Sequence, residues 1–237
     1  PYNGKCYNTF MKQRIIFFGS GEYTIPVIEV LREFDLRLVV TTEKDGPFIK
    51  YLRENNIPYS NKKLTPHSSL ITHHSPTLGV LASYGAILPK EILDLFPEGI
   101  INIHPSLLPK FKGPSPIQST ILAGETETGT TIIKLDEQVD HGPIIKQDKV
   151  SLVGDETTQG LKNALFTIGS YMIGSIIEKL EINQGLSLMQ GETLKVTPQD
   201  HSKESFTEKI TKQDGFIDFS NPPSPDELDR KIRAFFP

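Results

Sequence analysis

The sequence predicts an α/β domain built around a mostly parallel sheet, with a C-terminal tail. Three observations predict it. Short apolar runs alternate along the chain with helical patterns, the order that produces parallel strands joined by crossover helices. The runs are continuously apolar rather than alternating, as expected of strands covered on both faces. No internal repeat or low-complexity tract interrupts them.

Arg14–Phe18 ends in Gly19-Ser20-Gly21 and reads as a buried strand feeding a tight turn. Thr24 precedes a periodic apolar stretch from Ile25 to Leu31, with Pro26 in the first turn, where a helix tolerates it. Leu36–Thr41 is a second strand, Pro47–Asn55 a helix and Ile57–Tyr59 a third strand. Leu78–Ala82 and Ile100–His104 are further strands, separated by a short helix over Pro89–Phe96. A proline-dense loop through Pro116 leads to a helix at Ile117–Ala123. The β-branched runs Thr130–Leu135 and Ile144–Val150 read as strands, and Asp155–Glu181 as a long amphipathic helix. Near residue 197 the chain turns polar. A stop at Asn221–Pro225 precedes a last helix, Asp226–Phe235, with Ser224 as its cap. The expected division is a domain over 11–196, a tail over 197–237 and an upstream extension over 1–10. The end at Phe236-Pro237, directly after a helix, reads as a truncation.

Composition excludes several classes. Charged residues make up 23% of the 237, within the ordinary range for a globular protein and far from a disordered one. A formal charge of −4 gives no global attraction for nucleic acid, so any such partner needs a local basic patch. No apolar run approaches the ~20 residues of a membrane span, and residues 1–10 are too polar for a signal peptide. The lone Cys6 has no disulfide partner and reads as inert, which suits a reducing cytoplasm.

The densest chemistry lies in Asn102-Ile103-His104-Pro105-Ser106. On a strand, i and i+2 share a face, so Asn102 and His104 project together at a carboxyl end of the sheet, where open α/β sheets bind ligands. Downstream, Asp136–Gly142 forms a polar turn containing Asp140. An amide donor, an imidazole and a carboxylate together suit acyl transfer: the amide stabilises an oxyanion, the imidazole moves a proton and the carboxylate orients it. Taken alone, an Asn-x-His pair is more often structural. The adjacent His73-His74 diverge and lack a third ligand, so no metal site is expected. His67 and His201 lie in polar stretches, and His141 follows Asp140 at the site's edge. Gly19-Ser20-Gly21 does not complete a dinucleotide fingerprint, since Thr24 stands at the third glycine's place.

Asn102-x-His104-x-Ser106-Leu107-Leu108-Pro109, Gly113 and Asp140-x-Gly142 resemble the signature of the 10-formyltetrahydrofolate-dependent formyltransferase family. The resemblance implies a Rossmann-like formyltransferase domain, formyl transfer from 10-formyltetrahydrofolate to a primary amine without a metal, and catalytic roles for Asn102, His104 and Asp140. It further implies folate contacts along Ser83, Tyr84, Gly85, Ile87 and Leu88, along Ser106, Leu107, Leu108 and Pro109, and at Asp136. Within the family, Phe18–Glu22, Pro26–Leu31, Pro114–Gln118, Lys212–Asp218 and Ile232–Phe235 are similar to the branch that formylates methionyl-tRNA. That implies the α-amine of charged initiator tRNA as acceptor. Thr42–Pro47 is shorter and less basic than the tRNA-contacting insertion of that branch, and a C-terminal barrel is absent. These departures favour an amino-sugar nucleotide, while Pro114–Gln118 and the tail favour tRNA. Lys110, Lys112 and Lys134 beside the site are candidate phosphate contacts, or plain surface lysines. A non-catalytic folate-binding module and a hydrolase of 10-formyltetrahydrofolate are the other readings.

Overall fold

A computed structural model describes residues 12–62, 64–65, 68–182 and 196–235. The extension 1–10 with Cys6, Met11, His67, the approach to the 196/197 boundary and Phe236-Pro237 lie outside them.

Among the described residues, seven strands form one mixed sheet in the order β3-β2-β1-β4-β5-β6-β7. They are β1 (Arg14–Gly19), β2 (Asp35–Val40), β3 (Tyr59–Ser60), β4 (Leu78–Ala82), β5 (Ile100–His104), β6 (Glu127–Lys134) and β7 (Ile144–Ser151). The first five pair in parallel; β6 runs antiparallel to both β5 and β7. Strand order reverses between β1 and β4, so the chain leaves their carboxyl ends in opposite directions and opens a crevice there.

The alternation of side chains explains the apolar runs. Ile15 and Phe17 point to one face, packed with α1 (Ile25–Arg32), α2 (Pro47–Glu54) and α6 (Thr158–Ile182). Ile16 and Phe18 point to the other, under α3 (Ser69–His74) and α4 (Lys90–Leu93). Phe18 stacks edge-on against Tyr84 and Phe96 with ring centroids 5.6 and 5.8 Å away. Phe18→Ala should therefore destabilise the domain by about 3–5 kcal/mol, read as a lower denaturant midpoint at unchanged slope.

Several boundaries differ from the sequence expectation for physical reasons. The third strand is Tyr59–Ser60, because Ile57 is spent in the core beneath α2 rather than in the ladder. β6 starts three residues early, at Glu127, and passes through Gly129, where a Cβ would stand 2.1 Å from the Asp148 carbonyl. The long helix starts at Thr158, since Glu156 turns back to accept the amides of Val153 and Gly154. α3 was not anticipated from the sequence at all.

The third apolar cluster joins α5 (Pro116–Ala123), the start of α6 and Ala234 of α7 (Pro225–Phe235). α7 begins with Ser224 and Glu227 bonded to each other's backbone amides, as expected of the cap. Before α7, residues 196–210 form a strap laid on the sheet edge. It pairs Thr197 with Ile144 and Phe206 with Lys112. No described helix is long and apolar enough to cross a membrane.

Candidate active site

The carboxyl ends of β4 and β5 open into a cavity of about 480 Å³. That is ample for a small-molecule site. Its walls come from four places. Asn102, Ile103, His104 and Pro105 end β5; Ser83–Ile87 follow β4; Gly113, Pro114 and Asp140 come from two loops; Tyr23, Lys162 and Phe166 close the side next to α6. Ile87 and Val139 stand exposed at the mouth.

Asn102, His104 and Asp140 are only 5%, 4% and 9% exposed. Asn102 and His104 share a face because they are i and i+2 on β5. Asp140 reaches them from the β6–β7 loop and acts as a hub. Its Oδ1 accepts from Asn102 Nδ2 at 3.3 Å and lies 3.5 Å from His104 Nδ1. Its Oδ2 accepts the Gly113 amide at 2.8 Å. On the far side of the ring, His104 Nε2 lies 2.9 Å from the Phe111 carbonyl. A carbonyl only accepts, so Nε2 carries a proton and Nδ1 is the nitrogen left to exchange one. An asparagine amide has two N–H bonds. One is tied to Asp140, leaving the second for the cavity.

The loop after β4 is held open. Ser83 sits at φ 51° and Gly85 at φ 74°, and a Cβ on Gly85 would meet nothing within 4 Å. Tyr23 shares a 2.6 Å hydrogen bond with Ser83. Burial pushes the Tyr23 phenol above its ordinary range, against the lowering effect of Ser83. The Lys162 ammonium lies 4.6 Å over the Tyr23 ring, and burial holds it below the usual lysine range.

Ser83, Tyr84, Gly85 and Ile87 thus line the same cavity as the three polar residues. Leu88 instead packs into the apolar cluster around Phe18. Ser106–Pro109 lie behind the wall. The Ser106 hydroxyl donates to the Lys110 carbonyl at 2.7 Å, Leu108 N donates to Thr131 at 3.2 Å, and the Pro109 carbonyl takes the Ser205 amide. They carry the chain from β5 to Phe111 and Gly113. Asp136 faces His141 at 2.6 Å, and the His141 ring stacks on His201 with centroids 4.2 Å apart.

Among the three lysines, Lys112 is 1% exposed, its ammonium held by Glu204 at 2.7 Å and near His201 at 3.2 Å. It is therefore no surface contact. Lys110 is exposed and lies 3.4 Å from Glu125; Lys134 is half-buried. The Thr42–Pro47 loop folds back on the first turn, with Glu43 accepting the Gly21 amide at 2.6 Å. Gly21 needs its φ of 90° to make that turn, as the Gly-Ser-Gly reading expected. No three His, Cys, Asp or Glu residues among those described converge as metal ligands.

Sequence reasoning missed Tyr23, Lys162 and Gln199. Lys162 and Phe166 are four apart and so share a helix face, the one signal available. Gln199 gave no local signal.

A family model for formyl transferases matches residues 13–177, more than half of the chain. A methionyl-tRNA formyltransferase of Chloroflexus aggregans is 34% identical over 94% of this chain and 74% of its own length. One from a Roseiflexus species is 33% identical over 96% of this chain and 71% of its own. A solved 4-N formyltransferase from Francisella tularensis superposes with a TM-score of 0.75 at 18% identity, over 95% of this chain and 88% of that one; at that identity it speaks for the fold alone. The match across most of the domain, on a Rossmann-like sheet with this site at its edge, means that the chain belongs to the formyl transferase family.

Proposed function

We propose that this protein transfers a formyl group from 10-formyltetrahydrofolate to the α-amine of methionyl-tRNA. The observation that carries the reading is the convergence of Asn102, His104 and Asp140 on one wall of the cavity. The acceptor follows from the relatives above, which are named for it and align over nearly the whole chain.

The cavity fits the folate co-substrate: its lining is largely apolar, and the Gly85 backbone leaves room for close approach. The donor lies against Ser83, Tyr84, Gly85 and Ile87, its formyl group turned to β5. Leu88, Ser106–Pro109 and Asp136 support those walls from behind. The acceptor amine attacks the formyl carbon. The free N–H of Asn102 donates to the oxygen as it becomes an oxyanion. His104 Nδ1 takes the amine proton and returns it to the folate nitrogen as the carbon–nitrogen bond to folate breaks. Asp140, at 3.5 Å, stabilises the imidazolium that forms in between. No step requires a metal. The lone cysteine fits a cytoplasmic setting.

Release of tetrahydrofolate is to be followed with charged initiator tRNA and, separately, with a panel of amino-sugar nucleotides. Formylation of the charged tRNA alone supports the proposal. Turnover only with an amino sugar overturns the acceptor, and release with water alone overturns the transferase.

A further inference from the structure

We infer that Gln199, from the strap after α6, is a positioning residue for the reaction at Asp140, and that the strap belongs to the catalytic machinery. The inference rests on the reading of Asp140 given above.

Asp140 sits at φ 48°, a left-handed backbone that is uncommon outside glycine, though aspartate adopts it more readily than most residues. The holding group is the Gln199 amide. Its Nε2 donates to the Asp140 carbonyl at 2.8 Å and to the Gly142 carbonyl at 2.7 Å, from a side chain that is buried. Its Oε1 has no hydrogen-bond partner among the described residues. The amide is thus engaged on its donor side, through the two bonds to the Asp140 turn.

The opposite side of the loop is closed by steric contact. A Cβ on Gly142 would stand 1.8 Å from the Lys134 carbonyl, so this turn is pressed on β6 and cannot retreat. Gln199 is fixed in turn by its neighbours, since Thr197 exchanges both backbone hydrogen bonds with Ile144 at 2.7 and 2.8 Å. Further along, the same strap fixes the other half of the site. Ser205 accepts the Lys112 amide and, through its hydroxyl, the Phe111 amide at 2.9 Å. Thr207 bonds Lys112 and Ser115. Phe111 and Gly113 are the residues that meet His104 and Asp140. Both partners of the His104 ring therefore hang on residues 197–207: His201 stacks on His141 in the Asp140 turn, and Gln199 holds the backbone carbonyls of Asp140 and Gly142.

The test is steady-state kinetics of the full chain with 10-formyltetrahydrofolate and its acceptor. Gln199→Met keeps the volume and removes both donors. We expect kcat to fall roughly ten- to hundredfold, the scale of a misplaced catalytic group, with KM for the folate within about twofold. In an Asp140→Ala background the same change should cost nothing further, because Gln199 acts only through Asp140. Gln199→Asn, which retains the amide without the reach, should behave like Gln199→Met and serves if that variant does not fold. A kcat within twofold of the parent, or full additivity with Asp140→Ala, overturns the inference. So does failure of both variants to fold, which would make Gln199 a folding residue. If Asp140→Ala itself leaves turnover unchanged, the fault lies with the catalytic reading instead.

Discussion

His104→Ala is expected to lower kcat by about 10²–10⁴-fold, the range supplied by a positioned proton-transfer group. The ring is the only imidazole among the described residues lining the cavity. Its two nitrogens have divided surroundings, a carbonyl on one side and the Asp140 carboxylate on the other. Removing it leaves the amine proton without an acceptor and Asp140 without the imidazole it faces. Little should happen to the fold. His104 ends β5, and its backbone pairing with Thr131 needs no particular side chain. The measurement is single-turnover formylation beside a thermal melt. A kcat within tenfold of the parent, at an unchanged melting temperature, would sink the mechanism.

Asp140→Asn should be nearly as damaging, on the order of 10³-fold in kcat, although it replaces one atom per side chain. Around the carboxylate stand the Asn102 amide and the Gly113 amide, both donors, and His104 Nδ1. A carboxylate accepts from both amides through its two oxygens and faces the imidazolium that forms when Nδ1 takes a proton. An asparagine presents one oxygen and one NH₂, so one of its ends meets a donor with a donor. Either Gly113 swings away or the imidazole loses the charge that steadies its protonated form. The expected kinetic pattern is a fall in kcat with KM for the folate nearly unchanged, as for an interaction made mainly in the transition state. A rise in KM alone would assign Asp140 to binding instead.

How much of this was legible in the chain depends on the range over which each signal acts. β5 is found with the limits expected, because Ile100–His104 is a buried strand bounded by Gly99 and Pro105. The same alternation that puts Ile15 and Ile16 on opposite faces puts Asn102 and His104 on one, and that pair needs nothing beyond local geometry. Asp140 was legible as a carboxylate in a polar turn that could orient a histidine, while its catalytic assignment leaned on the family resemblance, since nothing local links it to a residue 38 positions earlier. α3 was missed because Ser69–His74 is short and polar at both ends. Lys112 read as a surface group because its cover, Glu204 and His201, lies about ninety residues downstream. Gln199 was illegible for the same reason: it stands in a polar stretch that reads as linker, and only the folded register of Thr197 on Ile144 brings it to the Asp140 turn. Long-range polar pairing leaves no periodic trace, whereas apolar burial does.

The strap also sets an order on biosynthesis. The donor to the Asp140 carbonyl lies 59 residues further along the chain, and the acceptor for the Lys112 amide 93 further. A nascent chain that has already completed its whole sheet still lacks the groups that pin both loops. Translation through Thr207 is therefore required before both loops of the proposed reaction centre can be pinned.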